Sequence, residues 1–295
     1  MEADWAEKFY DTLRLGEDIY TYLQLRKPSD GEIFISPFGI GDVVWVCTYA
    51  RQYKRKLGYD NILLVAREYA CAAAKLFPDI DDVMALDERQ NDALKKYIAT
   101  KGLYYENGIR YAHFHAVMHP ESLDLDFHER NFLEAYDHSI GIRRDDILSQ
   151  MEIPNPIDDE RAKVIKDSIL LVPKAFSTGM LQADFWRAMA ERMQSLGYKV
   201  FTNDDGHTEA IPKTELFRAS IEEIASYAKY FKAILAVRTG LCDLLAMTEA
   251  NLHVIYLNQG GMDFFSLQML VNNPKVREYV YAPAIQEQIL HDMNL

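Results

Sequence analysis

The stretch from Lys232 to Met247 constrains the fold of this 295-residue chain more than any other. It consists of the apolar run Ala233–Val237, the break Arg238-Thr-Gly240 and a helix-like run that ends at Met247. An apolar run that stops at Thr-Gly and restarts with helical spacing predicts a strand, a tight turn and a helix. A second apolar run, residues 252–257, follows at the distance that one helix requires. We therefore predict a βαβ unit of a parallel sheet, with its turn at the carboxyl edge where such sheets bind ligands.

The turn of this βαβ unit carries groups that suit a phosphate. Arg238 offers a guanidinium, Thr239 offers a hydroxyl, and Gly240 opens a helix whose first backbone N–H groups have no partner within the helix. The alternative is an ordinary βα turn in which glycine only provides flexibility. We favour the phosphate interpretation, and the residues alone leave both open.

Strand and helix patterns alternate along the whole chain. The predicted strands are residues 32–36, 61–65, 83–86, 110–115, 168–173, 198–202, 233–237 and 252–257. The predicted helices lie within residues 2–26, 43–56, 67–76, 88–100, 127–138, 184–196, 221–230, 241–247 and 283–292, and residues 151–159 are predicted to be a linker. This alternation predicts two doubly wound α/β domains.

The first predicted strand is followed by Gly39-Ile-Gly41-Asp42. The dinucleotide-binding fingerprint requires a third glycine where this chain has Val44, so the match is incomplete and an NAD-dependent oxidoreductase is disfavoured. Asp42 is predicted in the first helical turn, at the carboxyl edge of the sheet, where a carboxylate can accept a proton from a substrate hydroxyl. Its alternative role is to cap the helix. The pattern alone does not decide between these two roles.

Composition restricts the partners of the chain. The formal net charge of −13 argues against nucleic-acid binding, which needs a basic surface. The local exception is the basic cluster, Arg51–Lys56, which is interpreted as a solvated helix end or as a contact for anionic lipid or a phosphorylated acceptor. The three cysteines lack disulfide or zinc spacing, so we expect reduced, buried thiols. Without a signal-peptide core or an apolar run of about 18 residues, we expect a cytoplasmic protein with no transmembrane segment.

The order of these motifs resembles that of the heptosyltransferase-like GT-B glycosyltransferases. The resemblance covers about residues 31–90 and 168–258 and rests on Ser36-Pro-Phe-Gly-Ile-Gly-Asp42, Pro78-Asp-Ile-Asp-Asp-Val83, Leu170-Leu-Val-Pro173 and Thr239-Gly240. It implies an α/β, GT-B-like fold of two facing Rossmann-like domains with parallel sheets. The implied divisions are a helical extension (1–30), an acceptor domain (31–155), a nucleotide-sugar donor domain (156–282) and a C-terminal helix (283–295).

The resemblance also implies roles for single residues of both domains. Asp42 matches the general base that acts on the acceptor hydroxyl, and Gly39 and Gly41 belong to the same acceptor-side turn. Lys174 and Ser177 lie in a loop that matches the family's lysine-containing, donor-phosphate-binding loop.

Thr239 and Gly240 match the Thr-Gly that binds the diphosphate at a helix N-terminus. The family usually reads Asp-Thr-Gly-x-x-His, whereas this chain reads Arg238-Thr-Gly-Leu-Cys-Asp243. An arginine before Thr-Gly is similar to the fucosyltransferase-like GT-B enzymes, in which it stabilises the leaving nucleotide diphosphate. Asp243 and Asn203 are further donor-site candidates.

These roles imply transfer of a sugar from a nucleotide-diphosphate donor to a hydroxyl of a saccharide or glycolipid acceptor. We expect no metal or other cofactor, because Arg238, Lys174 and helix amides can neutralise the departing diphosphate. The expected setting is the synthesis of cell-surface polysaccharide or glycoconjugate. The alternatives are a GT-B-fold sugar-nucleotide epimerase or hydrolase, and a non-catalytic nucleotide-sugar-binding subunit in which Asp42 only caps its helix. The residues do not identify the sugar, the nucleobase, the acceptor or the oligomeric state, and the basic cluster leaves peripheral membrane contact open.

Two short patterns would favour a metal instead. Asp124-Leu-Asp126 is a DxD, the metal-binding motif of the other glycosyltransferase fold, but three-residue matches often arise by chance. His113, His115 and His119 are metal-ligand candidates, because strand alternation places the first two on one face. Surface or core histidines are the commoner outcome, and we predict no metal.

Overall fold

The computed structural model describes residues 2–113, 131–145, 148–155, 158–175 and 179–295, except for the side chains of residues 2–5 and 159. Contacts within the chain divide it into two compact units, residues 1–152 and 153–295. Each unit contains its own sheet of mostly parallel strands. The finer four-part division made from the sequence stays a prediction.

The first unit contains a five-stranded sheet among its described residues. The strands are β1 (Gly31–Ser36), β2 (Asn61–Arg67), β3 (Asp82–Leu86), β4 (Tyr105–Glu106) and β5 (Ile109–Tyr111). The helices are α1 (Glu2–Arg26), α2 (Ile40–Leu57), α3 (Cys71–Ala74), α4 (Glu88–Lys101) and α5 (Phe132–Ile140). The strand order is β3-β2-β1-β5-β4, and every neighbouring pair is parallel except β4 with β5.

Strand β1 lies at the centre of this sheet and is buried along its whole length. Its alternate side chains Ile33 and Ile35 enter an apolar core that includes residues of α1 and α4. Phe34 points to the other face, where its ring lies 4.9 Å from that of Tyr53 in α2, measured between centroids. Because helices cover both faces of β1, its sequence is a continuous apolar run rather than an alternating one.

Helix α1 packs closely against α4. A Cβ atom at Gly16 would lie only 2.3 Å from the carbonyl oxygen of Ala93 in α4, so glycine is required for this approach. Beyond Gly16, Ile19, Tyr20 and Leu23 are buried in the same core as β1. Helix α1 is therefore part of the core of the first unit.

The described part of the second unit contains a six-stranded sheet. The strands are β6 (Ile169–Val172), β7 (Val200–Asp204), β8 (Glu215–Arg218), β9 (Ala233–Val237), β10 (Leu252–Tyr256) and β11 (Val276–Val280). The helices are α6 (Asp159–Ile165), α7 (Ala183–Ser195), α8 (Ile221–Tyr227), α9 (Gly240–Ala246), α10 (Gln259–Phe265) and α11 (Ile285–Asp292). The strand order is β11-β10-β9-β6-β7-β8, with all neighbours parallel, so the turns after β6, β7 and β9 lie at one edge.

The structure confirms most of the predicted alternation, including the β9–α9–β10 unit. Helix α8 begins at Ile221, as predicted, and its N-cap is Ser220, whose hydroxyl accepts a hydrogen bond of 3.1 Å from the Glu223 N–H. The three cysteines are buried free thiols, as expected.

The structure also differs in detail from the sequence prediction. The helix predicted over 67–76 is present as a 3₁₀ turn, Glu68–Ala70, followed directly by α3, and it starts after Arg67 because β2 continues to that residue, where it pairs with Leu86. Strand β8 was missed because only Phe217 of its four residues is buried, which leaves no apolar pattern. The described residues of the predicted linker before Asp159 contain no helix or strand, and α6, which was not predicted, begins at Asp159, where the Asp158 carboxylate caps it by accepting from two of its N–H groups.

Candidate active site

The β1–α2 turn positions Asp42 in the first unit. Helix α2 begins at Ile40, three residues earlier than predicted, and its N-cap is Gly39. Asp42 is thus the third helical residue, and its Oδ2 accepts a 2.9 Å hydrogen bond from the Gly39 N–H. Asp42 therefore does cap the helix, as its alternative role implied, but from the third helical position and not as the N-cap residue itself. Gly41 is buried in the same turn.

Two further donors reach the other carboxylate oxygen of Asp42. His113 Nε2 lies 3.1 Å from Oδ1, and the Tyr136 hydroxyl donates to the same oxygen at 2.9 Å. His113 follows β5, which is paired with β1, and Tyr136 lies on α5. The Asp42 side chain is still 19 % exposed. It is therefore both firmly held and accessible to a solute.

These donors stabilise the ionised form of the Asp42 carboxylate. Burial opposes the ionised form, but the hydrogen bonds from His113, Gly39 and Tyr136 outweigh it and hold the pKa of Asp42 below its ordinary value. The carboxylate is consequently ionised at neutral pH, which is the form that can accept a proton.

Aromatic rings support the two side-chain donors. The His113 ring stacks on Phe38, with 3.9 Å between centroids and 28° between planes. The Tyr136 ring stacks on Trp45 at 5.5 Å and 18°. The rings of both donors are therefore packed against a neighbouring aromatic ring.

The β9–α9 turn of the second unit contains a buried ion pair. Arg238 donates to both carboxylate oxygens of Asp243, at 2.7 and 2.8 Å, and the two residues are only 6 % and 2 % exposed. Its guanidinium also donates to the carbonyl oxygens of Thr239, at 2.8 Å, and Phe265, at 3.1 Å. Burial alone would lower the pKa of Arg238, but Asp243 and neighbouring groups raise it above its ordinary value.

Arg238 therefore shapes the turn in this structure. Its hydrogen bonds go to protein acceptors, and Asp243 cancels its charge. Direct contact between Arg238 and a phosphate stays a prediction, as does a donor-site role for Asp243.

A second network anchors the end of α10 beside this turn. The Tyr256 hydroxyl lies within hydrogen-bond distance of two acceptors, the Phe265 carbonyl oxygen at 3.0 Å and the Glu278 carboxylate. Glu278 also accepts from the Ser266 hydroxyl, at 2.7 Å, and from the Leu267 N–H, at 2.8 Å. Since Arg238 binds the same Phe265 carbonyl, the β9–α9 turn and the segment after β10 form one hydrogen-bonded structure.

The other donor-site candidates lie at the same sheet edge. Lys174 follows β6, and its Nζ donates to the His207 carbonyl at 3.0 Å and lies 3.9 Å from an Asp205 carboxylate oxygen. Asn203 is partly exposed in β7, in register with Phe217 of β8. Ser177 lies outside the described residues, as do His115, His119, Asp124 and Asp126.

The structure thus brings the predicted residues together in two groups, one in each unit. Asp42 and Gly39 are in contact in the first unit, and Lys174, Asn203 and Thr239 share one sheet edge in the second. Sequence reasoning missed the contacts that His113 and Tyr136 make with Asp42. The sequence pattern placed His113 within a predicted strand, residues 110–115, and suggested it only as a candidate metal ligand.

Other predicted contacts receive less support. Within the basic cluster, Arg51 pairs with Asp79 and Lys54 with Asp81, at 3.1 and 2.6 Å, so part of its charge is already neutralised. Over the described residues, no group of three or more His, Cys, Asp or Glu side chains is arranged to hold a metal ion. None of the helices described here combines the length and apolar character that crossing a membrane requires.

Comparison with solved structures identifies the fold. The E. coli ADP-heptose LPS heptosyltransferase II gives a TM-score of 0.62 at 12 % identity, covering 90 % of this chain and 97 % of that one. The E. coli heptosyltransferase WaaC with ADP gives 0.55 at 11 % identity, with coverages of 88 % and 99 %. A glycosyl transferase of family 9 from Veillonella parvula DSM 2008 gives 0.58 at 13 % identity, with coverages of 90 % and 92 %.

No protein-family model and no curated protein matches the sequence. The likeness is therefore one of structure, and at this identity it defines the fold alone. The chain has a GT-B-like α/β fold with two Rossmann-like sheets of mostly parallel strands, in agreement with the fold that the resemblance implied.

Proposed function

We propose that this protein is a glycosyltransferase that uses a nucleotide-diphosphate sugar. The observation that carries the proposal is the Asp42 carboxylate, which is ionised, partly exposed and held by three donors. It lies at the carboxyl edge of the first sheet in a chain whose fold resembles that of known glycosyltransferases. A group of this kind suits a general base for an acceptor hydroxyl.

In the proposed reaction the acceptor oxygen attacks the anomeric carbon of the donor sugar. Asp42 takes the hydroxyl proton as the new carbon–oxygen bond forms. The bond between the anomeric carbon and the diphosphate breaks, and the diphosphate leaves with the bonding electrons. Lys174, Ser177, Thr239 and the Gly240 amide are proposed to stabilise its charge.

Arg238 has an indirect part in this scheme. Its hydrogen bonds to Asp243 and to the Thr239 carbonyl fix the turn, so that the Thr239 hydroxyl and the Gly240 amide would be preorganised for the diphosphate. In this scheme Arg238 would fix the shape of the turn and would not itself move to the diphosphate.

The choice of donor is a finer proposal. The similar proteins are an E. coli ADP-heptose LPS heptosyltransferase II and E. coli WaaC with ADP or with ADP-2-deoxy-2-fluoro heptose. An ADP-linked heptose is therefore the first donor to test here, followed by hexose and fucose donors. A cytoplasmic, metal-independent enzyme of cell-surface polysaccharide or glycoconjugate synthesis, with a saccharide or glycolipid acceptor, completes the proposal.

A thermal-shift screen would test donor binding. ADP, GDP, UDP and NAD are compared, each with Mg²⁺ and with EDTA, because a ligand that binds only the folded protein raises its melting temperature. We expect one nucleoside diphosphate to stabilise the protein in EDTA, and Lys174→Met to reduce the shift. Lys163→Met, on an exposed lysine of the same unit, is the matched control. Stabilisation by NAD alone, or by no compound, would contradict the proposal.

Asp42→Asn, assayed with and without acceptor, distinguishes a glycosyltransferase from an epimerase or hydrolase and from a non-catalytic binding subunit. For a glycosyltransferase, the rate of transfer to acceptor should fall by about 10²- to 10⁴-fold while the nucleotide-induced thermal shift is kept. An epimerase or hydrolase would consume the donor sugar with no acceptor present. A binding subunit would show the thermal shift and no donor consumption in either protein.

A further inference from the structure

We infer that His113 is a positioning residue that holds the Asp42 carboxylate charged and correctly oriented for an acceptor hydroxyl. The inference rests on the proposed function, because it concerns the residue that would act as the base of that reaction. Three separate segments converge on the carboxylate: the turn at Gly39, the end of β5 at His113, and α5 at Tyr136.

The geometry fixes both carboxylate oxygens of Asp42. Oδ2 is bound by the Gly39 N–H at 2.9 Å, and Oδ1 is shared by His113 and Tyr136 at 3.1 and 2.9 Å. A carboxylate held at one oxygen can still turn about its Cβ–Cγ bond, whereas donors at both oxygens prevent this rotation. Since an ionised carboxylate only accepts, His113 must carry a proton on Nε2 to make its bond.

His113 acts through Asp42 because it has no room for a substrate of its own. His113 is only 1 % exposed, and other aromatic rings surround its imidazole ring. Phe38 stacks on one side at 3.9 Å, and Tyr111 and Tyr136 meet the ring edge-on at 6.3 and 6.2 Å between centroids. A buried imidazole of this kind orients and stabilises its neighbour but does not touch the reacting sugar.

Other titratable and charged groups surround the pair. Tyr111 is buried beside His113, and burial, with Tyr104 and Asp42 nearby, raises the pKa of its hydroxyl, so it stays neutral. On α4, Lys95 Nζ lies 5.1 Å from the centre of the Phe38 ring, and beyond α5 the Arg144 guanidinium lies 5.3 Å from the Trp45 ring. Each cation thus contacts the ring that stacks on His113 or on Tyr136, respectively.

The contact between His113 and Asp42 predicts how activity depends on pH. The hydrogen bond from His113 lowers the pKa of Asp42, so removing the donor should raise that pKa. The acid limb of kcat/KM, which reports ionisation of the base in the free enzyme, should then move to higher pH. Lost orientation should also reduce kcat by about 10- to 100-fold, with a smaller change in KM.

The experiment compares His113→Gln and His113→Phe in the full-length protein. Glutamine can place an N–H near the position of Nε2, whereas phenylalanine keeps the ring and removes the donor. The pKa of Asp42 is read from its carboxyl ¹³C resonance, which needs no activity, and kcat/KM is measured against pH. Tyr136→Phe removes one hydroxyl from the same oxygen, and His138→Gln, on an exposed histidine of α5, is the matched control.

We expect the Asp42 pKa to be below its ordinary value in the native protein and in His138→Gln, to rise in His113→Phe and Tyr136→Phe, and to be largely restored in His113→Gln. An ordinary or raised pKa in the native protein would overturn the inference without any variant. An unchanged acid limb in a folded His113→Phe protein would also overturn it. If the protein transfers no sugar, the proposed function fails, while the ¹³C titration still reports whether His113 controls the charge of Asp42.

Discussion

The β1–α2 and β9–α9 turns use the same local architecture for different purposes. Each joins a buried parallel strand to a helix and carries an aspartate in the first turns of that helix. Asp42 is the third residue of α2 and accepts from its own N-cap amide. Asp243 is the fourth residue of α9 and instead pairs with Arg238, the residue before the N-cap. The two carboxylates thus differ by one residue in position, and only the second turn offers an arginine before its N-cap.

The difference in partner controls what each carboxylate can do. Asp42 is held by an amide, a hydroxyl and an imidazole and keeps 19 % of its side chain exposed, so it can exchange protons with a solute. Asp243 is almost fully buried against a guanidinium that does not lose its proton in proteins. The first turn is suited to acid–base chemistry, and the second to holding a shape.

The largest effect on stability is expected from Asp243→Asn. The variant leaves the Arg238 guanidinium buried without its carboxylate, and breaking a buried pair on one side costs about 3–5 kcal/mol. Urea unfolding at neutral pH, followed by a probe in the second unit, measures the loss in the free energy of unfolding.

Two variants test whether this loss comes from the buried charge. Arg238→Met combined with Asp243→Leu removes both charges and should recover much of the stability. Asp184→Asn breaks an exposed 3.0 Å pair with Arg187 and should cost less than about 1 kcal/mol. A cost for Asp243→Asn as small as that of Asp184→Asn would show that the two turns do not differ as described.

A smaller, pH-dependent effect is expected from Asp42→Asn. Because the pKa of Asp42 is lowered on folding, its carboxylate stabilises the fold above about pH 4, the ordinary aspartate value, and this contribution is lost as the pH falls through the lower folded pKa. The native protein should exceed the variant by about 1–3 kcal/mol at neutral pH. Unfolding curves from pH 7 to pH 2 would show the gap close in acid, and a constant gap would contradict the assignment.

The smallest effect is expected from Gly39→Ala. Gly39 has an ordinary φ of −87°, and an added Cβ would lie 3.5 Å from Asp42 Oδ2, which is normal contact. The change should stay within about 0.5 kcal/mol. Gly39→Pro removes the N–H that binds Asp42 and should cost about 1–2 kcal/mol and raise the Asp42 pKa. Equal unfolding free energies for the two variants would exclude a role for this amide.

Much of the fold could be predicted because buried parallel strands are continuous apolar runs. The β9–α9–β10 unit is an example, since Ala233–Val237 is apolar throughout and buried throughout. Strand β8 was not predicted, because it lies at the sheet edge and buries little, so its sequence has no such run. Helix α6 was not predicted either, because the prolines before it suggested a linker.

The site was predictable in part. Asp42 was found from its position after a strand and a Gly-containing turn. Its partner His113 was not, because β5 follows β3 and β4 in the chain but lies beside β1 in the sheet, and chain order does not reveal this neighbour. Arg238 was predicted from its charge and position, but the burial that turns it toward Asp243 depends on packing around the turn.

Gly16 has a practical consequence for producing the first unit alone. The motif of the resemblance starts at β1, which suggests a shortened chain that begins near residue 31. Such a chain would lack α1. It would expose the apolar side of α4, including Leu94 and Ile98, which lie in the same core as residues of α1. We expect that protein to aggregate during expression, so the cut belongs ahead of α1, and position 16 is one that sequence redesign should keep as glycine.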